Sequence, residues 1–456
     1  MSMRIFALIS LLTVGLVGCA AMVSEVTKPE LPAQWRNAPS AEAATVDRAW
    51  WRNFGSDELS ALIERTEAQS FDLAAAEARI RQAEATARMI GADLWPTVTG
   101  GLAAERSGAL HGQAGAGNSF DAGLSASYEV DLWGRLRANR DAALADLQAS
   151  TFDRDAVRLS VTAAVASNWL QAVAGQERIA IGERNLATAE RLLALVEARA
   201  RAGAATPLEV ARQQGLVAAQ RRALASIRQQ ADDARTALAV LLGQASAPET
   251  RGVQLAVLNL PGIGSGLPSE LLTRRPDIAR AEAHLQAADA SVQAARAALF
   301  PSLSLGADLD SSGNSLRRIF ENPVYSLAAA LTAPIFNAGR LAAGRDLAEA
   351  RWAELLANYR LGIVTAFGEV ESALNAAARL DEQLAAQAEE LAQAQRAMAL
   401  AESRYRAGAE TPIVLLDTQR TLYAAQDVAV QLKLARLQAV VGLYKTLGGG
   451  WRKGAG

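Results

Sequence analysis

The heptapeptide Arg201-Ala-Gly-Ala-Ala-Thr-Pro207 recurs 205 residues later as Arg406-Ala-Gly-Ala-Glu-Thr-Pro412. The same offset relates four further pairs of segments: Asp72-Leu73 and Asp277-Ile278, Trp95-Pro96 and Phe300-Pro301, Gly134-Arg135 and Gly339-Arg340, Leu242-Gly243 and Leu447-Gly448. Five matches at one spacing indicate a duplicated structural unit, with a period far longer than the roughly 20–50 residues of solenoid repeats. The sequence therefore predicts two similar halves that lie side by side about a pseudo-symmetry axis.

The repeat divides the chain into predicted segments. We expect a signal peptide at 1–18, a lipidated and extended N-terminal segment at 19–55, and a first repeat at 56–243. A linker rich in Gly and Pro at 244–267, a second repeat at 268–448 and a tail at 449–456 complete the chain. Each repeat is predicted to contain a helix, two strands and a hairpin of long helices.

The N-terminus has the features of an export signal. Arg4 precedes an apolar stretch from Ile5 to Val17, which is too short to span a bilayer as a helix. The stretch ends in Leu16-Val-Gly-Cys19, which resembles the lipobox of bacterial lipoproteins. The resemblance implies that Cys19 carries a covalent lipid, palmitate included, although an ordinary signal peptide with a chance cysteine would look similar. Because Cys19 is the only cysteine, the chain has no internal disulfide.

Two very long helices are predicted from the absence of proline. Residues 136–202 and 341–407 contain none, and helices of that length reach about 100 Å. Apolar residues spaced by seven follow each of them: Leu416, Tyr423, Val430, Leu437 and Tyr444 in one half, and Val210, Val217, Leu224, Ala231 and Leu238 in the other. Such seams indicate knobs-into-holes packing. An ordinary bundle core also has apolar seams, but the length favours a tube or rod.

Four strands are predicted at about 97–108, 119–131, 302–310 and 323–333. From Phe120 to Asp131, and again from Ser302 to Asp310, apolar and polar residues alternate. Strands of about ten residues with this pattern are typical of transmembrane barrels, although a soluble sheet with one wet face would look similar. Aromatic residues at the ends of the strands favour the membrane and predict an interfacial belt: Trp95, Trp133, Phe300 and Phe336.

The polar face of the predicted strands is acidic. It is expected to line the lumen of the barrel and carries Glu105, Asp121, Glu129, Asp131, Asp308 and Asp310. An acidic lumen predicts a preference for small cations. Four strands cannot close by themselves, and an open edge cannot lie in lipid. Because closure needs roughly eight strands or more, the chain must oligomerise, with eight strands from two copies or twelve from three.

The sequence offers no catalytic or metal centre. The only histidines are His111 and His284, and neither has a second ligand nearby in sequence. The net charge of -2 gives no indication of nucleic-acid binding. We therefore expect neither an enzyme nor a cofactor beyond the covalent lipid.

Four segments together resemble one family. They are Ala49-Trp-Trp-Arg-Asn-Phe-Gly55, Ser127-Tyr-Glu-Val-Asp-Leu-Trp-Gly-Arg-Leu-Arg137, Leu267-Pro-Ser-Glu-Leu-Leu-Thr-Arg-Arg-Pro-Asp-Ile278 and Ala298-Leu-Phe-Pro-Ser302. The chain resembles the TolC-like outer membrane factors, and specifically their lipoprotein branch of the OprM/NodT type. Phe71 departs from the family pattern, in which Asn often precedes the Asp-Leu pair, so we expect a local packing change there.

The resemblance implies an α+β membrane protein that forms a homotrimer. Four strands from each protomer would make a twelve-stranded β-barrel, continued by a long periplasmic α-helical coiled-coil barrel. It further implies a lipid-anchored exit channel in the outer membrane that acts with a periplasmic membrane-fusion adaptor and an inner-membrane pump, most often of the RND type, in efflux and multidrug resistance. An exit duct for type I secretion of protein or peptide, and a periplasmic scaffold that conducts nothing, stay open as alternatives. The cargo is not predicted.

The family also implies site residues. The adaptor would dock on two helical turns at the periplasmic tip that carry Gly203, Thr206, Pro207, Gly408, Thr411 and Pro412. Their Gly and Pro also have a purely structural explanation, as helix C-caps and first helical residues. A periplasmic gate would consist of Ile413, Asp417 and Arg420, although Asp417 and Arg420 could equally form an ordinary surface ion pair. Arg212 stands 205 positions before Asp417, so we expect the second hairpin to move more on opening.

Overall fold

The computed structural model describes residues 29–30, 32–36, 46–111, 117–246, 253–262, 264, 266 and 268–454. The predicted signal peptide and Cys19 lie outside these residues. Contacts divide the chain into residues 1–30, of which only Pro29 and Glu30 are described, and a compact unit formed by residues 31–456. Among the described residues, no helix combines the length and the apolar character needed to cross a bilayer.

The described residues of the first half form four α-helices and two strands. Helix α1 spans Asp57–Gln69 and α2 spans Phe71–Ala92, followed by β1 (Thr97–Ser107) and β2 (Gly117–Val130). The hairpin consists of α3 (Arg135–Arg201) and α4 (Pro207–Leu241). Ser56 fixes the start of α1, because its hydroxyl accepts a hydrogen bond from the Leu59 amide at 3.2 Å.

The second half repeats this order. A short helix α5 (Leu271–Arg274) leads to α6 (Pro276–Ala297), β3 (Ser302–Gly313) and β4 (Pro323–Thr332), and then to α7 (Arg340–Arg406) and α8 (Pro412–Thr446). Helices α2 and α6 both have 22 residues, α3 and α7 both have 67, and α4 and α8 both have 35. Each pair starts and ends 205 residues apart, so the duplication predicted from the sequence is confirmed helix by helix.

The strands form one antiparallel sheet in the order β1-β2-β3-β4. The register places Leu124 opposite Leu309, and Leu309 opposite Tyr325, which aligns apolar side chains on one face. Asp308 stands opposite Ser125 and Ser326 on the other face. The two halves therefore share a single sheet, joined between β2 and β3, whose outer strands β1 and β4 have no further partner within the described residues.

The segment before α1 is folded back onto the body rather than extended throughout. Residues Trp50–Phe54 form a 3-10 turn, which the predicted extended segment 19–55 did not include. The turn buries Trp50, Trp51 and Phe54, and the ring of Trp50 stacks on Tyr444 at 5.0 Å. In a strand, Trp50 and Trp51 would point to opposite faces, whereas the turn lets all three aromatic side chains pack into the protein.

The heptad residues predicted from the sequence do form the seams of the hairpins. Leu416, Tyr423, Val430, Leu437 and Tyr444 are all buried along α8, and Val217, Leu224, Ala231 and Leu238 along α4, whereas Val210 is only partly buried. Phe71, the departure from the family pattern, is the first residue of α2 and is largely exposed. Its effect therefore falls on the surface of the protomer.

Candidate functional site

The polar face of the sheet is organised by one carboxylate. Asp308 accepts a hydrogen bond from Ser125 of β2 at 2.7 Å and another from Ser326 of β4 at 3.1 Å. Because Asp308 itself belongs to β3, it ties three strands together on the face that carries Asp121 and Asp310. Asp310 stands opposite Gly123, and its carboxylate occupies the space that a side chain on Gly123 would need.

Two of the six predicted lumen residues form hydrogen bonds with the start of α3 rather than with neighbouring strands. Glu129 lies near the end of β2 and accepts two hydrogen bonds of 2.8 Å from Arg135. Asp131 lies one residue beyond β2, where its carboxylate accepts hydrogen bonds of 3.0 Å from the amides of Leu136 and Arg137. Asp131 is therefore a cap at the N-terminus of α3 rather than a strand residue.

The environment of Asp131 fits this capping role. Partial burial would raise the pKa of the Asp131 carboxyl, but the amide hydrogen bonds from Leu136 and Arg137 and the Arg137 guanidinium outweigh it and hold the pKa below its usual range. A charged carboxylate at the start of a helix also interacts favourably with the helix dipole.

The four predicted belt aromatics lie where strands and helices meet. Their exposed fractions in the protomer are 74% for Trp95, 40% for Trp133, 42% for Phe300 and 89% for Phe336. The rings of Trp133 and Phe300 stack at 4.8 Å, and the Trp133 indole donates a hydrogen bond of 2.7 Å to the Pro301 carbonyl. This contact joins the two halves at the level of the predicted interface.

The two predicted tips have the same backbone but different caps. Gly203 and Gly408 both adopt the left-handed conformation, with φ of 74° and 75°. Thr206 and Glu209 form a capping box, in which each side chain accepts a hydrogen bond from the other residue's amide. Thr411 makes no side-chain cap, and the Glu410 carboxylate accepts from the Thr411 amide instead, at 3.1 Å. The second tip is thus the less firmly capped of the two.

A contact between Arg199 and Tyr405 joins the two hairpins just above the tips. The Arg199 guanidinium lies 4.7 Å from the centre of the Tyr405 ring and donates a hydrogen bond of 2.9 Å to its carbonyl. Burial raises the pKa of the Tyr405 hydroxyl, so the ring stays neutral beneath the cation. Below this contact, a groove of about 280 Å³ opens between the hairpins, lined by Thr206, Arg212 and Ile413 among others.

The predicted gate residues are exposed, and the two charged ones have no side-chain partner among the described residues. Ile413 begins α8 with more than half of its side chain exposed. Asp417 and Arg420 lie on the exposed surface of α8, and no ion pair joins them to each other or to another described residue. Asp417 and Arg420 therefore do not form an ion pair with each other along α8.

Sequence reasoning missed a buried amide pair beside the gate. Gln213 of α4 and Gln419 of α8 are both buried, and the Gln213 amide donates to the Gln419 side-chain carbonyl at 3.4 Å. Gln419 in turn donates to the Tyr423 hydroxyl at 3.3 Å. The available signal was a polar residue three positions after Leu416 in an apolar heptad seam, where such residues set register.

A second missed feature is the ion network around Arg275. This guanidinium is only 8% exposed and contacts Asp277 at 2.7 and 3.0 Å and Glu369 of α7 at 2.7 Å. It also donates to the Thr446 carbonyl at the end of α8 at 3.3 Å. Burial would raise the pKa of the Asp277 carboxyl, but its pairing with Arg275 lowers it. The network joins α6, α7 and α8 at one point.

The histidines do not form a metal centre in the described part of the chain. His284 lies 3.1 Å from the Asp146 carboxylate, and no group of three potential ligands includes it or any other described residue. His111 is an exposed loop residue after β1.

Comparisons with known proteins agree with this arrangement of a sheet and long helical hairpins. The family model described as outer membrane efflux protein matches the chain twice, at residues 62–244 and 267–449. The chain is 51% identical over 437 residues to the pyoverdine export outer membrane protein OpmQ of Pseudomonas aeruginosa, covering 92% of this chain and 91% of OpmQ. It is 31% identical to the cation efflux system protein CusC of Escherichia coli O6:H1, covering 96% and 97%.

A solved structure gives the same fold. The open state of the MtrE outer membrane channel of Neisseria gonorrhoeae superimposes with a TM-score of 0.86 at 29% identity, over 95% of this chain and 99% of that one. Channels of this family are trimers that work with an adaptor and an inner-membrane pump, and they are not enzymes. The chain belongs to the outer membrane efflux protein family and is one protomer of a trimeric outer-membrane exit channel for tripartite efflux.

Proposed function

We propose that this channel conducts pyoverdine out of the cell, passively, from a periplasmic adaptor and an RND-type inner-membrane pump. The observation that carries the conducting role is the two-faced sheet, apolar on one side and lined by Asp121, Asp308 and Asp310 on the other. A scaffold that conducts nothing would have no use for the acidic face. The cargo rests on the relative at 51% identity, which is named for pyoverdine export, whereas the cation efflux relative stands at 31%.

The cargo is tested by expressing this chain in Pseudomonas aeruginosa that lacks OpmQ. We expect pyoverdine in the culture medium to rise above that of the strain with empty vector. Unchanged pyoverdine, together with increased tolerance of toxic cations, would transfer the assignment to cation efflux. An expressed and assembled trimer that changes neither would remove pyoverdine as the cargo.

The adaptor is proposed to dock on the two tips that carry Gly203, Thr206, Pro207, Gly408, Thr411 and Pro412. Both tips are exposed in the protomer and have nothing within 4 Å of the position where Gly203 or Gly408 would carry a side chain. The groove between them adds a recess of about 280 Å³ that accepts a protruding side chain. Shape and exposure thus support docking at this end of the hairpins.

In-cell photo-crosslinking tests the docking surface. Ala409 is a suitable probe position because it is exposed, whereas the neighbouring Glu410 is engaged by Arg404 at 3.1 Å and by the Thr411 amide. We expect a probe at Ala409, or at its counterpart Ala204, to capture a membrane-fusion adaptor of an RND pump. Capture of an adaptor from an ATP-driven system would favour type I secretion. Trimers that capture nothing would favour the scaffold.

The gate is proposed to be held between protomers by Asp417 and Arg420, around an apolar ring of Ile413. The absence of partners for Asp417 and Arg420 within the described residues supports a pairing with the neighbouring copy. Exposed ion pairs are individually weak, about 0–1 kcal/mol, which suits a gate that a partner opens. The weaker cap at Thr411 supports the expectation that the second hairpin moves more than the first.

Anchoring is proposed to occur through a lipid on Cys19 after removal of residues 1–18. The support is the Leu16-Val-Gly-Cys19 sequence after a short apolar stretch. Metabolic labelling with a palmitate analogue should mark the parent chain and not the Cys19→Ser variant. Labelling that persists in the variant would rule the anchor out.

A further inference from the structure

Equivalent helices of the two halves differ in how many of their residues are buried. Eleven residues of α6 are buried but only three residues of α2, although the two helices have the same length and occupy equivalent positions. The reason is that α6 packs against both long helices, α3 and α7, whereas α2 packs extensively against α3 alone. One face of α2 is therefore left without its partner.

The offset of 205 identifies the missing partner. In a ring of three duplicated chains, six half-units alternate, so a contact between the two halves of one chain recurs between the second half of that chain and the first half of the next. The internal contact of α6 with α3 then predicts a contact of α2 with α7 of the neighbouring copy. Helix α7 has eleven buried residues against twenty in α3, which leaves a matching uncovered face.

Alanine positions agree with this pairing. Ala279 and Ala283 of α6 are buried against Ala149 and Phe152 of α3. Their counterparts 205 positions earlier, Ala74 and Ala78 of α2, are exposed or half-buried. Ala357, the counterpart of Phe152 on α7, is also exposed. Small residues on both faces allow the helices to approach closely.

Charged residues near the tips give the pairing its sharpest feature. Inside the protomer, Arg191 of α3 lies 3.6 Å from Glu402 of α7, and Glu402 also pairs with Arg406 one turn further on. All three members are repeated 205 positions away, because Arg191 corresponds to Arg396, Glu402 to Glu197 and Arg406 to Arg201.

Other ion pairs between the halves are not repeated in this way. Arg178 contacts Asp427 at 2.6 Å, but their counterparts are Gln383 and Arg222, which cannot form an ion pair. Glu197 and Arg396 nevertheless make no side-chain hydrogen bond or ion pair with any described residue of their own chain. Glu197 and Arg396 thus carry the same charges as the ion pair Glu402 and Arg191 but have no partner among the described residues. This indicates that each pairs with a residue of another copy.

We propose that Arg396 of each protomer forms an ion pair with Glu197 of the neighbouring copy, as Arg191 does with Glu402 within the chain. The inference rests on the trimeric channel of the proposed function and names two residues that join neighbouring protomers near its periplasmic end. Arg201, one turn from Glu197, completes the triad on the neighbouring copy. Six equivalent Arg–Glu contacts then circle the ring just above the tips, three within chains and three between them.

Cross-linking of intact trimers in membranes tests this proposal. The variant with Glu197→Cys and Arg396→Cys, treated with a homobifunctional maleimide, should give covalent dimers and trimers on a denaturing gel. The matched control is Arg191→Cys with Glu402→Cys, which should cross-link within the chain and give no higher bands. The parent chain, whose only cysteine is Cys19, is the blank.

Native gels run in parallel separate the possible failures. If the variant with Glu197→Cys and Arg396→Cys forms native trimers but gives no covalent bands, the proposed ion pair is wrong. Covalent bands from a second variant, Ala74→Cys with Ala357→Cys, would then show that α2 and α7 of neighbouring copies are still in contact and that only the ion pair was wrong. Absence of trimers in the parent chain would instead refute the assembly on which the channel depends.

A charge exchange provides an independent test. Glu197→Arg and Arg396→Glu should each lower the fraction of trimers that survives heating in detergent, because each places like charges together. The double exchange should restore it. A double variant no more stable than the single ones would overturn the pair.

Discussion

A substitution at the tip glycine Gly408 can distinguish a role in adaptor docking from a role in folding. It adopts φ of 75°, and an added Cβ would meet no atom within 4 Å. The Cβ of a Leu at this position would therefore meet no neighbour, and the main cost is the left-handed backbone, about 1–2 kcal/mol. That cost is small beside the roughly 5–15 kcal/mol that stabilises an ordinary domain. We expect Gly408→Leu to leave trimers intact while blocking the approach of the adaptor and abolishing export.

The assay compares trimer content in outer membranes with cargo export and adaptor capture in the same cells. Gly203→Leu is the matched variant at the first tip, where φ is 74° and the space is equally open. Gly448→Ala is the folding control, because its Cβ would lie 1.8 Å from the Arg274 carbonyl oxygen and trimers should be lost. If Gly408→Leu removes trimers, the glycine has a purely structural role, and if trimers and export both survive it, the tip is not the docking contact.

Four further predictions concern stability and the gate. Thr206→Ala should destabilise the first hairpin by about 1 kcal/mol in thermal unfolding, whereas Thr411→Ala should cost much less because its hydroxyl caps nothing; equal losses would contradict this. Arg275→Ala should lower the free energy of unfolding by about 1.5–3 kcal/mol in thermal unfolding, because the partly exposed Asp277 and Glu369 carboxylates lose their charged donor. The pKa of the Asp277 carboxyl is lowered in the folded protein, so this group stabilises the fold above its unfolded pKa of about 3.9. The stabilisation is lost as the pH falls through the folded pKa. Asp277→Asn should therefore make the free energy of unfolding depend less on pH in the acid range. Asp417→Ala should raise the resting conductance of reconstituted trimers, and an unchanged conductance would remove Asp417 from the gate.

The helices and strands were predictable because their signals are local. Pro207 and Pro412 begin α4 and α8, and Gly203 and Gly408 follow the ends of α3 and α7, as helix-terminating residues do. Alternation located β2 and β3 because side chains of a strand point to opposite faces in turn. The repeat then supplied the second half from the first.

The missed features depend on contacts between distant residues. The alternation of apolar and polar residues continues to Asp131, so the sequence pattern places Asp131 in the strand. Only the position of α3, which starts at Arg135, shows that the Asp131 carboxylate caps a helix. The burial of Gln213 against Gln419 arises from two helices that are some 200 residues apart in sequence. The turn at Trp50–Phe54 forms because Tyr444, near the other end of the chain, provides the surface that covers Trp50.

The central claim is that this chain forms a conducting channel with an acidic lumen, and single-channel recording in a planar bilayer tests it most directly. Purified trimers, recorded under a salt gradient, should open discrete conducting levels whose reversal potential shows a preference for small cations, since Asp121, Asp308 and Asp310 line one face of the sheet. The variant with Asp308→Asn and Asp310→Asn should conduct with a weaker preference. Trimers that never conduct, even with Asp417→Ala, or that prefer anions, would contradict the account.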